Sequence, residues 1–84
     1  MDLIRQVAEL IPAEIREVII EKGHVEKATN TEMLGTSMEY LFDVYEEFVD
    51  VSGEFDNWYC WKCRESILIN FRKMLPHLIE MNQK

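Results

Sequence analysis

The chain is poor in the residues that interrupt or cross-link a fold, with three glycines, two prolines and two cysteines among 84 positions. So few breakers exclude a loop-rich, collagen-like or low-complexity polypeptide. The cysteines, Cys60 and Cys63, stand too close together to staple a fold, which excludes a disulfide framework and is compatible with a reducing compartment. Long apolar runs are missing too. Runs such as Leu10 to Ala13 are only a few residues, whereas a membrane span needs about 20. The opening "MDLIRQVAEL" carries an acid at position 2 and no basic region ahead of a long apolar one, so it does not read as a secretory signal. A cytoplasmic protein with no membrane partner is the expectation.

Positive charge is also absent from a large part of the chain. Residues 28 to 61 hold eight acids and no Lys or Arg, whereas 62 to 84 hold five bases against two acids, within a net charge of −7. The molecule is electrically polarised along its sequence. Duplex DNA repels a surface like the middle segment, so nucleic acid is disfavoured as a partner except at the carboxy-terminal part.

What is present is a composition 48% hydrophobic with two Trp, three Tyr and four Phe, enough for one small core and too apolar for disorder. Residues 1–84 are read as a single helical domain. Asp2 is a cap for a first helix in which Leu3, Ile4, Val7 and Ala8 share a face. "PAEIREVIIEKG" restarts or continues helically after Pro12 until Gly23, with Ile15, Val18 and Ile19 inward and Arg16, Glu17 and Glu21 toward water. "HVEKATN" is a connection, and Thr31 the next cap. Leu34, Met38, Leu41, Phe42, Tyr45, Phe48 and Val49 then recur at helical steps, the clearest period in the chain. "DVSGEFDN" is a loop. From about Trp58 to Met74 or Leu75 a further helix carries the stripe Cys60, Cys63, Ile67, Phe71, Met74 and Leu78, and Pro76 kinks it or begins a last short helix. The fold class is all-α, a compact small bundle of three to five helices.

Chemistry concentrates in "FDNWYCWKCRES". Cys60 and Cys63 have the spacing of a zinc half-site, which lacks two ligands. His77 and His24 are the candidates, with Glu80 as an oxygen donor, but a continuous helix carries His77 roughly 20 Å from Cys63. Two chains sharing one four-sulfur site would also supplement so small a core. A redox dithiol is the second reading, since a helix amino terminus and Lys62 and Arg64 favour a thiolate. The third is that both cysteines are small buried residues continuing the apolar stripe, with no cofactor at all.

Glu39, Asp43, Glu46 and Asp50 repeat at four, three and four, with Glu47 beside them, as a ridge opposite Met38 and Phe42. Like charges at that spacing repel, and anions near a helix carboxy terminus oppose its dipole. The ridge is a solvated face, a dock for a basic partner, or a match for Lys62, Arg64, Arg72 and Lys73 of the same or a neighbouring molecule. Trp58, Tyr59 and Trp61 cannot all enter one small core, so at least one ring reaches the surface, where such residues anchor interfaces. Met33, Met38 and Met74 read as core filling. No nucleophile-elbow serine, oriented histidine or Gly-rich phosphate loop appears, so no enzyme and no catalytic residue is expected.

An acidic, aromatic helix followed by "WYCWKCRESILINFRKML" resembles short proteins of bacteriophages and mobile elements in which one C-x-x-C-R opens a helix. The resemblance covers residues 38 to 75. It implies a virus-encoded accessory, structural or host-interfering protein, working in the cytoplasm of the host cell. The residues support a protein-interaction module, binding another protein or itself as a homo-oligomer through Glu39, Asp43, Glu46, Glu47, Asp50, Trp58 and Trp61. The alternative is a zinc-stabilised module held by Cys60 and Cys63 that binds nucleic acid through its basic carboxy-terminal helix.

Overall fold

Each apolar stripe needs a surface to cover it, and one long helix provides most of that surface here. A computed structural model of the chain describes residues 3–31, 34–50 and 58–83. Its elements are α1 (Leu3–Glu9), α2 (Ala13–Glu21), α3 (His24–Lys27), α4 (Ser37–Val44) continued by a π turn (Tyr45–Val49), and α5 (Trp61–Asn82). Among the described residues there is no strand. The all-α bundle is therefore the fold. Helices α1, α2, α3 and α4 all pack on α5, and α3 also packs on α4 and α2. No described helix is long and apolar enough to cross a membrane.

The core forms where the stripes meet. Met38, Leu41 and Phe42 of α4 and Ile67, Phe71, Met74 and Leu78 of α5 are essentially inaccessible, with Ile11 and Ile19 closing the other side. No polar or charged residue is buried as a whole among the described residues, so hydrophobic transfer rather than a buried polar network holds the helices together.

Local chemistry explains the breaks. Pro12 stands just before α2 with φ −57° and ψ 149°, where its missing N–H has no helical partner to lose. Gly23 takes φ +63°, a left-handed conformation that costs an L side chain energy, so α2 ends there. Lys22 N donates to Val18 O at 3.0 Å and Gly23 N to Ile20 O at 3.2 Å, satisfying the terminal carbonyls.

Several local expectations are corrected. Part of "HVEKATN" is not a plain connection but the one-turn helix α3, which buries Val25. Thr31 does not cap α4; the helix begins at Ser37 after Thr36, and Leu34 is 62% exposed rather than on the stripe. Leu3 is likewise exposed. Arg16 is half-buried, because its Nε donates to Asn82 Oδ1 at 2.9 Å and its Nη1 to Ile11 O at 2.8 Å. Pro76 neither ends α5 nor starts another helix; it lies inside the element. Asp2, Met33 and most of "DVSGEFDN" lie outside the described residues.

Candidate functional site

The sequence TSME, Thr36 to Glu39, has the T-x-x-E pattern of a helix start. Thr36 is extended at the cap, and its side chain makes no capping hydrogen bond. Glu39 instead reaches back, its Oε1 accepting from Gly35 N at 2.9 Å. One member of the acidic row thus serves the fold by satisfying a helix-terminal donor. Thr36 Oγ1 is buried with no hydrogen-bond partner among the described residues.

Beside this start lies a cleft of about 620 Å³ between α3 and α4, lined by His24, Lys27, Gly35, Thr36, Ser37, Glu39, Tyr40 and Asp43. His24 Nδ1 and Ser37 Oγ share a hydrogen bond at 2.9 Å. The imidazole stacks on Tyr40 with centroids 4.4 Å apart and planes inclined by 23°. Burial, then the charges of Lys27 and Lys22, hold His24 below its ordinary pKa, so a neutral ring is favoured. Burial raises Tyr40 in turn. Asp43 is held above the usual carboxylate value, first by burial and then by Glu39 and Glu47.

The acidic row is unevenly exposed. Asp43, Glu46 and Glu47 are exposed, but Glu39 and Asp50 are only half so. The carboxylates whose charge reaches Asp43 are Glu39 and Glu47, at i−4 and i+4. The row ends in the π turn, closed by Asp50 N donating to Tyr45 O at 2.8 Å, an i→i+5 bond that admits an extra residue into the turn. Arg64 does not match the ridge within the molecule. Its guanidinium is spent on Trp58 O, 2.6 Å from Nη1, and on Asn30 Oδ1 and O, 3.0 and 3.2 Å from Nε.

The aromatic cluster divides. Trp58 is half-buried, with its ring edge-on to Phe42 at 5.2 Å and 87°, and the Arg64 guanidinium carbon lies 5.3 Å from its centroid. That contact makes Trp58 a lid on the core, not a free anchor. Tyr59 and Trp61 are 83% and 55% exposed, so the outward rings are these two.

Cys60 precedes α5 and acts as its cap: its Sγ accepts from Cys63 N at 3.3 Å. Both cysteines are partly exposed, which corrects their reading as buried members of the stripe. Hydrogen bonds from the Cys63 side chain and backbone lower the Cys60 thiol pKa, with smaller help from Lys62 N–H and Arg64 against opposing burial. Because α5 is continuous from Trp61 to Asn82, His77 stays about 21 Å along the axis from Cys63. Among the described residues no three His, Cys, Asp or Glu side chains gather closely enough to share an ion.

Sequence reasoning missed the His24, Ser37 and Tyr40 grouping, whose members are 13 and 16 residues from His24 and meet only because α3 folds onto α4. The T-x-x-E at 36–39 was the available signal, since it places the start of α4 at this spot. Comparison with protein-family models, with curated proteins and with solved structures finds no match.

Proposed function

We propose that this chain is a protein-binding module whose α3–α4 cleft and acidic α4 face receive a lysine- or arginine-rich segment of a partner. The observation that carries this reading is the cleft itself, where Glu39 and Asp43 line one cavity with Ser37 and Tyr40. A guanidinium or ammonium entering there meets carboxylates for charge-assisted hydrogen bonds. It also relieves the repulsion of Glu39 and Glu47 on Asp43, which adds to burial in raising the Asp43 pKa. The resemblance to short phage proteins with one C-x-x-C-R fits a host-directed accessory of this kind.

A fluorescent Arg/Lys-rich peptide titrated into the protein tests the reading. Affinity should fall as salt rises, and D43N/E47Q should weaken binding severalfold while the helical spectrum is kept. Glu39 is left intact in this variant because it holds the Gly35 N–H at the start of α4. Unchanged affinity in the variant, or binding indifferent to salt, overturns the proposal.

A second reading draws on the partly exposed, lowered-pKa thiol of Cys60: a C-x-x-C module in which two chains share zinc. It predicts a dimer that chelators dissociate.

A further inference from the structure

The outward face of α5 carries a row of exposed residues that the shorter helices leave uncovered. Trp61 is 55% exposed and Ile69 41%, with Glu65, Arg72, Lys73 and Pro76 exposed along the same face. Glu65, Ile69, Arg72, Pro76 and Ile79 follow at steps of four, three, four and three, the spacing by which two helices pair along a seam. A groove of about 510 Å³ runs here, between this face and the segment Thr29 to Thr31, with Leu68 also lining it.

Within about one turn of Ile69 the charges on this face change sign, while the exposed Lys62 stands farther out, seven residues before it. Glu65 lies four residues before it, and Arg72 and Lys73 lie three and four after it, each about 5–6 Å along the axis. Among the described residues neither the Glu65 nor the Arg72 side chain has an ion-pair or hydrogen-bond partner. A two-fold contact places every residue opposite its mirror image about the centre, so it needs such a reversal, whereas an unrelated partner needs none. We infer that a second copy of this chain docks here, α5 antiparallel to α5 and crossing at Ile69. Glu65 of each copy then meets Arg72 and Lys73 of the other, Ile69 meets Ile69, and each Trp61 ring covers Pro76 opposite. The contact is closed and isologous, so it stops at a dimer and lends apolar burial to a small core.

This pairing is independent of the protein-binding reading, since the α3–α4 cleft takes no part in it. It also places the two copies of Cys60 about 27 Å apart along the axis, nine residues on either side of the crossing point, which excludes a four-sulfur site shared across the same contact.

Solution mass over a concentration series tests it, with E65R and R72E/K73E as the variants. All substituted side chains are exposed, and circular dichroism confirms that the variants fold. The unsubstituted chain should be dimeric, and each variant alone should associate about tenfold or more weakly because like charges face each other. An equimolar mixture of the two variants should regain the dimer, since each then offers the charge that the other lacks. A monomer at every concentration up to about 1 mM, variants that dimerise like the parent, or a mixture that stays monomeric would each overturn the pairing. A dimer that a chelator dissociates overturns it in favour of shared zinc. The basic-peptide titration reads the cleft separately: a monomer that still binds peptide sinks only the pairing, and a dimer that ignores peptide sinks only the cleft.

Discussion

At the scale of single residues, His24 joins three effects in one side chain: a hydrogen bond to Ser37, a stack on Tyr40 and a pKa below the ordinary 6.5. A base whose folded pKa is depressed binds fewer protons folded than unfolded, so its contribution is fully present above 6.5 and is lost as pH falls toward the lower folded value. Glu39 and Asp43 also face this cleft as carboxylates, and Lys22 and Lys27 act on the ring as cations. Thermal melts of the parent should therefore show stability declining as pH drops below about 6.5, and His24→Gln should flatten that slope. Parallel slopes for the two proteins would remove His24 as the cause. Asp43 has the opposite sense: its pKa is raised first by burial and then by Glu39 and Glu47, so its ionisation costs the folded state at neutral pH and that cost disappears in acid. Charge spacing in the sequence already announced repulsion along α4. That Glu39 is also a cap, and that Trp58 is a lid while Trp61 faces out, depended on neighbours far along the chain.

At the scale of elements, α5 is unusual in running through Pro76. A proline inside a helix removes one backbone bond and crowds the preceding turn, at a cost of roughly 3 kcal/mol relative to alanine. The sequence-based expectation of a kink or a new start weighs only that local cost. Here Met74 and Leu78, on either side of it, are both fully buried, and packing of this stripe keeps the element continuous. Pro76→Ala should raise the unfolding free energy by up to about 3 kcal/mol, measured by denaturant titration at protein concentrations where dimer is negligible. A loss of stability would mean that the proline ring makes a packing contact worth more than the backbone bond that it removes. The π turn after α4 is the companion case. Tyr45 is buried and Phe48 and Val49 pack on the core, yet no pattern in "YEEFV" distinguishes an i→i+5 turn from an ordinary helical one.

At the scale of the whole molecule, the carboxy-terminal end of α5 ties the first third of the chain in place. Arg16 binds Asn82 and the Ile11 carbonyl, Asn82 Nδ2 donates to Ala13 O at 3.0 Å, and Arg5 Nη1 pairs with Glu80 Oε1 at 3.3 Å. The Arg5 pair is exposed and adds little, whereas the half-buried Arg16 bonds involve a charged donor. Arg16→Ala should cost about 2 kcal/mol, read as a lower denaturation midpoint with an unchanged slope; a midpoint that does not move would show that these bonds merely replace water. The sequence by itself determined that the chain is helical and which stripes turn inward, because steps of three and four are a property of backbone geometry that Met38, Leu41, Phe42, Ile67, Phe71 and Met74 express locally. Only the tertiary structure decided which polar groups meet and which aromatic faces stay open. His24 reaches Ser37, and Arg64 reaches Asn30, across stretches of chain whose relative placement is set by all the helices burying apolar surface together, and no local period encodes that.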